Sequence, residues 1–270
     1  DPFFSWVLSK KYALPCFGYS NNNTSLGWGY TKTFLKSATG DLMSEKVNQY
    51  LENKTETISD KTDILFFTGS RPQHFKAFFP IVVSTIKEIQ KLSPKMTIKI
   101  HVSPFITDEK LEENLSINPT NIPIFRTPSL DAMSDAKLLI TLAGTNTAEA
   151  TYLNLPMIVL FPLNFPELVI LDGLGGLIGQ LPIIGTLIKK LILFFMKKTV
   201  KFVSHPNRLS NKEIVPEWIG NIEAKTLAKK ACTLIIKKEE LEKIKRELKE
   251  IPHPTEVAKK IITEIVNQSK

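Results

Sequence analysis

The chain has 270 residues and a formal net charge of +8, with 35 Lys and Arg against 27 Asp and Glu, and 43% of it is apolar. That length and apolar fraction suffice for a buried core, in one large domain or two small ones, and exclude an intrinsically disordered chain; twelve glycines without a period exclude a fibrous one. Most lysines sit among glutamates near the C-terminus, which argues against a dedicated nucleic-acid binder, and two cysteines, Cys16 and Cys232, cannot build a disulfide framework, which favours a reducing compartment.

Residues 1–50 read as aromatic-rich and irregular, with loops at the polar patch Ser20–Ser25 and at Gly27 and Gly29. The chain opens at Asp1 without a methionine and without the charged and apolar regions of a signal peptide, and is read as lacking an N-terminal part. The polar stretch from Asn53 to Asp63 reads as a linker. Ile64–Phe67 is a short apolar strand ending in Thr68-Gly69-Ser70-Arg71, and Val82, Ile86 and Ile89 then recur at helical spacing. Pro80 is expected in the first turn of that helix, with a shorter turn before it. Thr97–Val102 alternates as a strand, Ile122–Phe125 is another, and Leu130–Ala136 is a short helix. Leu138–Leu142 is a strand ending at Ala143-Gly144-Thr145, a helix follows from Thr147 to Leu153, and Pro156 leads into the strand Met157–Phe161. Such alternation predicts βαβ units and a parallel sheet, and from Ala224 onward the chain reads as helical, with Val257, Ile261 and Ile265 on one face of the last helix.

In an open α/β sheet, ligands bind at the carboxyl ends of the strands, beside helix N-termini. Two such corners carry chemistry here. Gly69-Ser70-Arg71 offers close backbone approach, a hydroxyl and a guanidinium suited to bidentate phosphate binding. Gly144-Thr145-Asn146-Thr147 offers free backbone N–H groups, with Glu149 in the first turn that follows. Both suit a phosphate-bearing ligand, and both are also compatible with plain helix capping by Ser70, Thr145 and Thr147 and a dipole-answering Glu149. Neither is a G-x-G-x-x-G or a Walker A loop. A third segment, Ser204-His205-Pro206-Asn207 through Lys212 to Pro216-Glu217, gathers polar side chains around the apolar pair Ile214 and Val215. Its Glu217 carboxylate suits ribose hydroxyls, and an ordinary surface loop is the other reading.

Together and in this order, the three segments resemble the C-terminal half of the lipid-A-disaccharide synthase family, glycosyltransferases with two facing Rossmann-like domains (the GT-B fold). The family's Gly-Ser-Arg resembles Gly69-Ser70-Arg71, and its Gly-Thr-x-x-x-Glu before a Pro-Met-Val-Val strand resembles Gly144 to Glu149 before Pro156-Met157-Ile158-Val159. Its Leu-Pro-Asn loop, running on through an Arg to a Glu, is similar to His205-Pro206-Asn207 through Lys212 and Glu217, with Lys212 where the family has Arg. Gly27-Trp28-Gly29 replaces the family's Trp-x-Trp stretch, which points to a divergent relative.

The resemblance implies an α/β, GT-B type fold. Residues 1–55 would end an acceptor-side domain, 56–223 would form a nucleotide-sugar-binding Rossmann-like domain, and 224–270 would be C-terminal helices. It implies a UDP-sugar donor on Gly69, Ser70, Arg71, Gly144, Thr145, Asn146, Thr147, Glu149, Asn207 and Glu217. The sugar would pass by direct displacement to a lipid-linked acceptor, with Asp1 in the setting of the family's general base. Neither metal nor cofactor is expected: His74, His101, His205 and His253 stand apart, and no C-x-x-C pair exists. The glycine- and proline-interrupted apolar stretch 168–203 is too broken for a transmembrane helix. With Lys189, Lys190, Lys197 and Lys198 it reads as an element at an anionic membrane surface, placing the protein peripherally on the inner face of a membrane; a buried helical hairpin is the alternative. A UDP-GlcNAc 2-epimerase-like enzyme and a non-catalytic, membrane-associated nucleotide-sugar-binding protein remain the competing functions, and a homodimer is left open.

Overall fold

The computed structural model describes residues 41–54, 62–162 and 201–268. Asp1, residues 1–40 in general and the stretch 163–200, which holds most of the apolar segment, lie outside the described residues. In chain order the described elements are α1 (Leu42–Asn53), β1 (Thr62–Phe67), α2 (Pro72–Leu92), β2 (Ile98–His101), α3 (Asp108–Ile117), β3 (Ile124–Phe125), α4 (Ser129–Met133), β4 (Ala136–Leu142), α5 (Thr145–Tyr152), β5 (Met157–Pro162), α6 (His205–Ser210), β6 (Glu217–Gly220), α7 (Ala224–Ile236), α8 (Lys238–Lys249) and α9 (Val257–Gln268).

The six strands form one parallel sheet in the order β3-β2-β1-β4-β5-β6, the order of a Rossmann-like domain. The expected α/β class with a parallel sheet is what this sequence forms. The physical reason is continuous apolarity: Ile64, Leu65, Phe66 and Phe67 of β1, Leu138, Leu139 and Ile140 of β4, and Met157 to Leu160 of β5 are all buried, as central strands covered on both faces must be. Helix α2 contributes Phe75, Phe78, Phe79, Val82, Val83, Ile86 and Ile89 to this core, and α7 packs against it through Leu227, Ala228, Ala231 and Leu234.

Helix α2 departs from the expected start. Pro72 takes its first turn and Pro80 lies in its interior, so one helix runs through from Pro72 to Leu92. Pro80 gives up one backbone hydrogen bond, but the seven buried apolar side chains on the same helix hold the segment helical regardless. Residues read as irregular also contain α1, and α4 ends at Met133, with Ala136 already opening β4. Three further elements arise where only loop or nothing was expected: α3, α6 and β6.

Among the described residues, Cα packing separates a small unit, holding α1 and α9, from a larger one running from Lys54 through α8. In the small unit the Glu45 carboxylate accepts a hydrogen bond from the Ala258 backbone at 2.8 Å, satisfying an N-terminal amide of α9, and Ser44 Oγ donates to the Pro254 carbonyl. In the larger unit the sheet is tied at its amino edge. Asp63 accepts from Lys137 Nζ at 2.8 Å and from the Thr97 backbone at 2.8 Å, joining the starts of β1 and β2 to β4.

Candidate functional site

The carboxyl ends of β1 and β4 are neighbours in the sheet, on either side of the point where the strand order reverses. Each end leads into a loop and then a helix, so both chemically loaded corners meet at the position where open α/β sheets bind ligands.

The first corner is Gly69-Ser70-Arg71. Gly69 has φ +90, and a Cβ there would lie 2.9 Å from His74 Cβ and 3.4 Å from Leu142 Cδ1. The chain can turn this tightly against β4 only with glycine. Ser70 and Arg71 are exposed, and the Arg71 guanidinium has no hydrogen-bond or ion-pair partner among the described residues.

The second corner is Gly144-Thr145-Asn146-Thr147. Gly144 is extended (φ 161), a conformation open to any residue, and a Cβ on it would meet nothing within 4 Å. The fold therefore makes no demand for glycine there, and the open side is where another molecule's atoms can approach the backbone. Thr147 is buried: its Oγ1 donates to the Gly144 carbonyl at 2.7 Å and accepts from the His205 backbone at 3.1 Å. Glu149 is also buried (4% exposed), and its charge acts on His101.

His101 ends β2 beneath these corners. Its ring stacks on Phe67 with centroids 4.2 Å apart, and its Nε2 lies 2.7 Å from the Thr127 carbonyl. Burial lowers its pKa below the ordinary histidine value; the Thr127 carbonyl and Glu149 pull the other way without cancelling it. The sequence placed His101 within the strand Thr97–Val102 and gave it no role, because its stacking on Phe67 and its burial come only with the packing around β2.

The third segment folds as α6 and a turn into β6. His205 packs edge-on against Tyr152, ring centroids 5.5 Å apart, bringing α6 beside α5. Asn207 is fully buried. Its Nδ2 donates to the Val215 carbonyl and to Glu217 Oε1, each at 2.8 Å, and its Oδ1 accepts from the Ile214 and Val215 backbones at 2.7 and 2.9 Å. Glu217 Oε1 also accepts from the Ser204 backbone (2.9 Å) and hydroxyl (2.5 Å), and Oε2 from the Val203 backbone (2.8 Å). Lys212 is half exposed and pairs with Glu247 of α8 at 3.4 Å. The structure thus brings Gly69, Ser70, Arg71, Gly144, Thr145, Asn146 and Thr147 to one edge of the sheet and turns Asn207 and Glu217 inward.

No cluster of His, Cys, Asp and Glu among the described residues has the makings of a metal site. No described helix is long and apolar enough to cross a membrane. A depression of about 450 Å³ opens at the opposite, amino edge of the sheet between Asp63 and Ser93–Met96, where Asp63 is already engaged by Lys137 and Thr97.

The family model described as lipid-A-disaccharide synthetase matches residues 38–172, half of the chain, and takes in both the Gly69 and the Gly144 corner. Lipid-A-disaccharide synthase 1 of Legionella pneumophila (strain Lens) is 25% identical over 156 residues, which cover 58% of this chain and 35% of that one. The lipid-A-disaccharide synthase of Sulfurihydrogenibium sp. is 24% identical, over 62% of this chain and 40% of that one. A TarM structure from S. aureus, in complex with Fondaparinux, alpha-GlcNAc-glycerol and UDP, is similar at 10% identity with a TM-score of 0.45, covering 78% of this chain and 36% of that one. The chain spans about 35% to 40% of the length of the first two relatives. On the match of the family model, which holds both strand-end corners in their order on the sheet, the chain belongs to the lipid-A-disaccharide synthetase family.

Proposed function

We propose that this chain carries the donor-binding domain of a glycosyltransferase that moves a sugar from a UDP-sugar to a lipid-linked acceptor. The observation that carries the reading is the meeting of Arg71 and the open Gly144 corner on adjacent strand ends of a Rossmann-like sheet, within a stretch that matches the family. A diphosphate lying across the ends of β1 and β4 would find a fixed positive charge on one side and outward-facing backbone N–H groups on the other. In transfer by direct displacement, the bond from the sugar's anomeric carbon to the diphosphate oxygen breaks as the acceptor oxygen bonds to that carbon, and the negative charge gathers on UDP. Arg71 and the N–H groups of Thr145 and Asn146 would stabilise that charge, which is where such a site lowers the barrier. Asp1 is proposed as the base that takes the proton from the acceptor hydroxyl.

Calorimetric titration of UDP, UDP-GlcNAc and ADP tests the reading. Saturable binding of UDP and UDP-GlcNAc but not ADP is expected, and Arg71→Ala should weaken UDP at least about tenfold, as loss of a charged phosphate contact does. Affinity retained within about threefold (roughly 0.6 kcal/mol) would remove Arg71 from the site.

We further propose that the apolar, lysine-bearing stretch 168–203 meets an anionic membrane surface. Flotation with anionic liposomes should be lost when Lys189, Lys190, Lys197 and Lys198 are replaced by Glu, and unchanged flotation would reject that contact.

A further inference from the structure

We infer that Asn207 and Glu217 are positioning residues of the donor site: they anchor a buried hydrogen-bond relay that aims the Thr145 N–H outward. The inference rests on the donor-binding reading above and changes how two of its residues act.

A carboxamide has two N–H donors and two acceptor lone pairs, and Asn207 spends all four within the chain while showing no surface. The partners also fix its orientation, because exchanging O and N would set the amide's donors against the Ile214 and Val215 N–H groups. A group in this state has nothing to offer a ligand. Glu217 receives four donors, three of them on Oε1, and all come from the segment 203–207 that it gathers.

Glu217 and Asn207 fix Val203, Ser204 and the start of α6. The next residue, His205, donates its backbone N–H to Thr147 Oγ1 at 3.1 Å, and that hydroxyl donates to the Gly144 carbonyl at 2.7 Å, where the Thr147 N–H also lands at 3.0 Å. The Gly144–Thr145 peptide bond is planar and trans, so its C=O and N–H point in opposite directions. Two donors holding the Gly144 oxygen inward therefore hold the Thr145 N–H outward, toward the side where a Cβ on Gly144 would meet nothing. Thr147, only 1% exposed, is the hinge between the two segments.

Two measurements on the whole chain test this, with Glu217→Gln, Thr147→Val and Thr147→Ser. The first needs no ligand: amide hydrogen exchange at Thr147 and Ala148 should quicken about tenfold or more in E217Q and T147V, and T147S, which keeps the hydroxyl, should stay within about twofold of wild type. Unchanged exchange in E217Q, or equal exchange in T147V and T147S, overturns the relay. Should E217Q not fold, the T147V and T147S pair decides alone. The second titrates UDP, inorganic pyrophosphate and uridine. A relay that sets the phosphate corner predicts that E217Q weakens UDP and pyrophosphate by the same factor, about tenfold, and leaves uridine unmoved. Loss of uridine with pyrophosphate unmoved would make Glu217 a ribose contact and overturn the inference. A wild-type chain that binds neither UDP nor pyrophosphate overturns the donor-binding reading itself, a failure the exchange data distinguish from failure of the relay.

Discussion

Gly69 and Gly144 stand at equivalent strand ends, yet the structure asks different things of them. Gly69 holds a left-handed φ with His74 and Leu142 packed where a side chain would go. Gly69→Ala should therefore cost about 1–3 kcal/mol through strain and overlap, lowering the melting temperature by several degrees whatever is bound. Gly144 has neither a demanding φ nor a neighbour within 4 Å. Gly144→Ala should leave stability within about 0.5 kcal/mol and still weaken UDP about tenfold or more, because the added methyl occupies the approach to the backbone. Thermal melts paired with titrations separate the two glycines, and a G144A protein that binds UDP normally would show that no ligand uses that open side. Both corners were legible in the sequence as glycine followed by polar residues after a strand. Which glycine serves the turn and which serves a ligand was not, because the difference lies in the neighbours that packing supplies.

At the scale of elements, the Asp63 carboxylate helps tie the amino edge of the sheet, linking β1 to Thr97 before β2 and to Lys137 of β4. Burial opposes the charged form of Asp63, but the hydrogen bonds from Lys137 and Thr97 outweigh it and hold the carboxyl below its ordinary value. Its contribution to stability is present above the ordinary carboxylate pKa and is lost as pH falls below it, through the lowered value in the folded state. Asp63→Asn should destabilise by about 1–3 kcal/mol at pH 7, and the difference from wild type should shrink under acid; denaturant melts at pH 7 and pH 3 read both. The sequence marked β1, β2, β4, β5 and α2 because they are long or strongly apolar. It did not mark α6 and β6, which are short: α6 is six residues held by Asn207, Glu217 and Thr147, and β6 is half-buried with no alternating pattern to find. The start of α2 was misplaced for a related reason, since local chemistry puts Pro80 at a helix end and only the packed face of the whole helix overrides it.

At the scale of the whole molecule, His101 couples stability to pH. Its folded-state pKa is lowered, so the unfolded chain takes up a proton at a pH where the native one does not. The stability this neutral histidine provides is full above the ordinary histidine range and is lost as pH falls from about 6.5 toward the lowered value. His253, lowered by burial as well, acts in the same direction. Between pH 7 and 5 the wild type should lose stability more steeply than His101→Phe, by at most about 1.4 kcal/mol per pH unit, and parallel slopes would take His101 out of that account. By itself the sequence determined the alternation of strand and helix, the parallel Rossmann-like sheet and the glycine-bearing corners at its strand ends, because these follow from apolar runs and from backbone freedom, which are local properties. Only the tertiary structure decided which polar groups face outward. Arg71 is exposed without a partner among the described residues, whereas Asn207 and Glu217 are spent on Val203, Ser204, Ile214 and Val215, because hydrogen-bonding capacity is consumed by whichever partners the fold delivers.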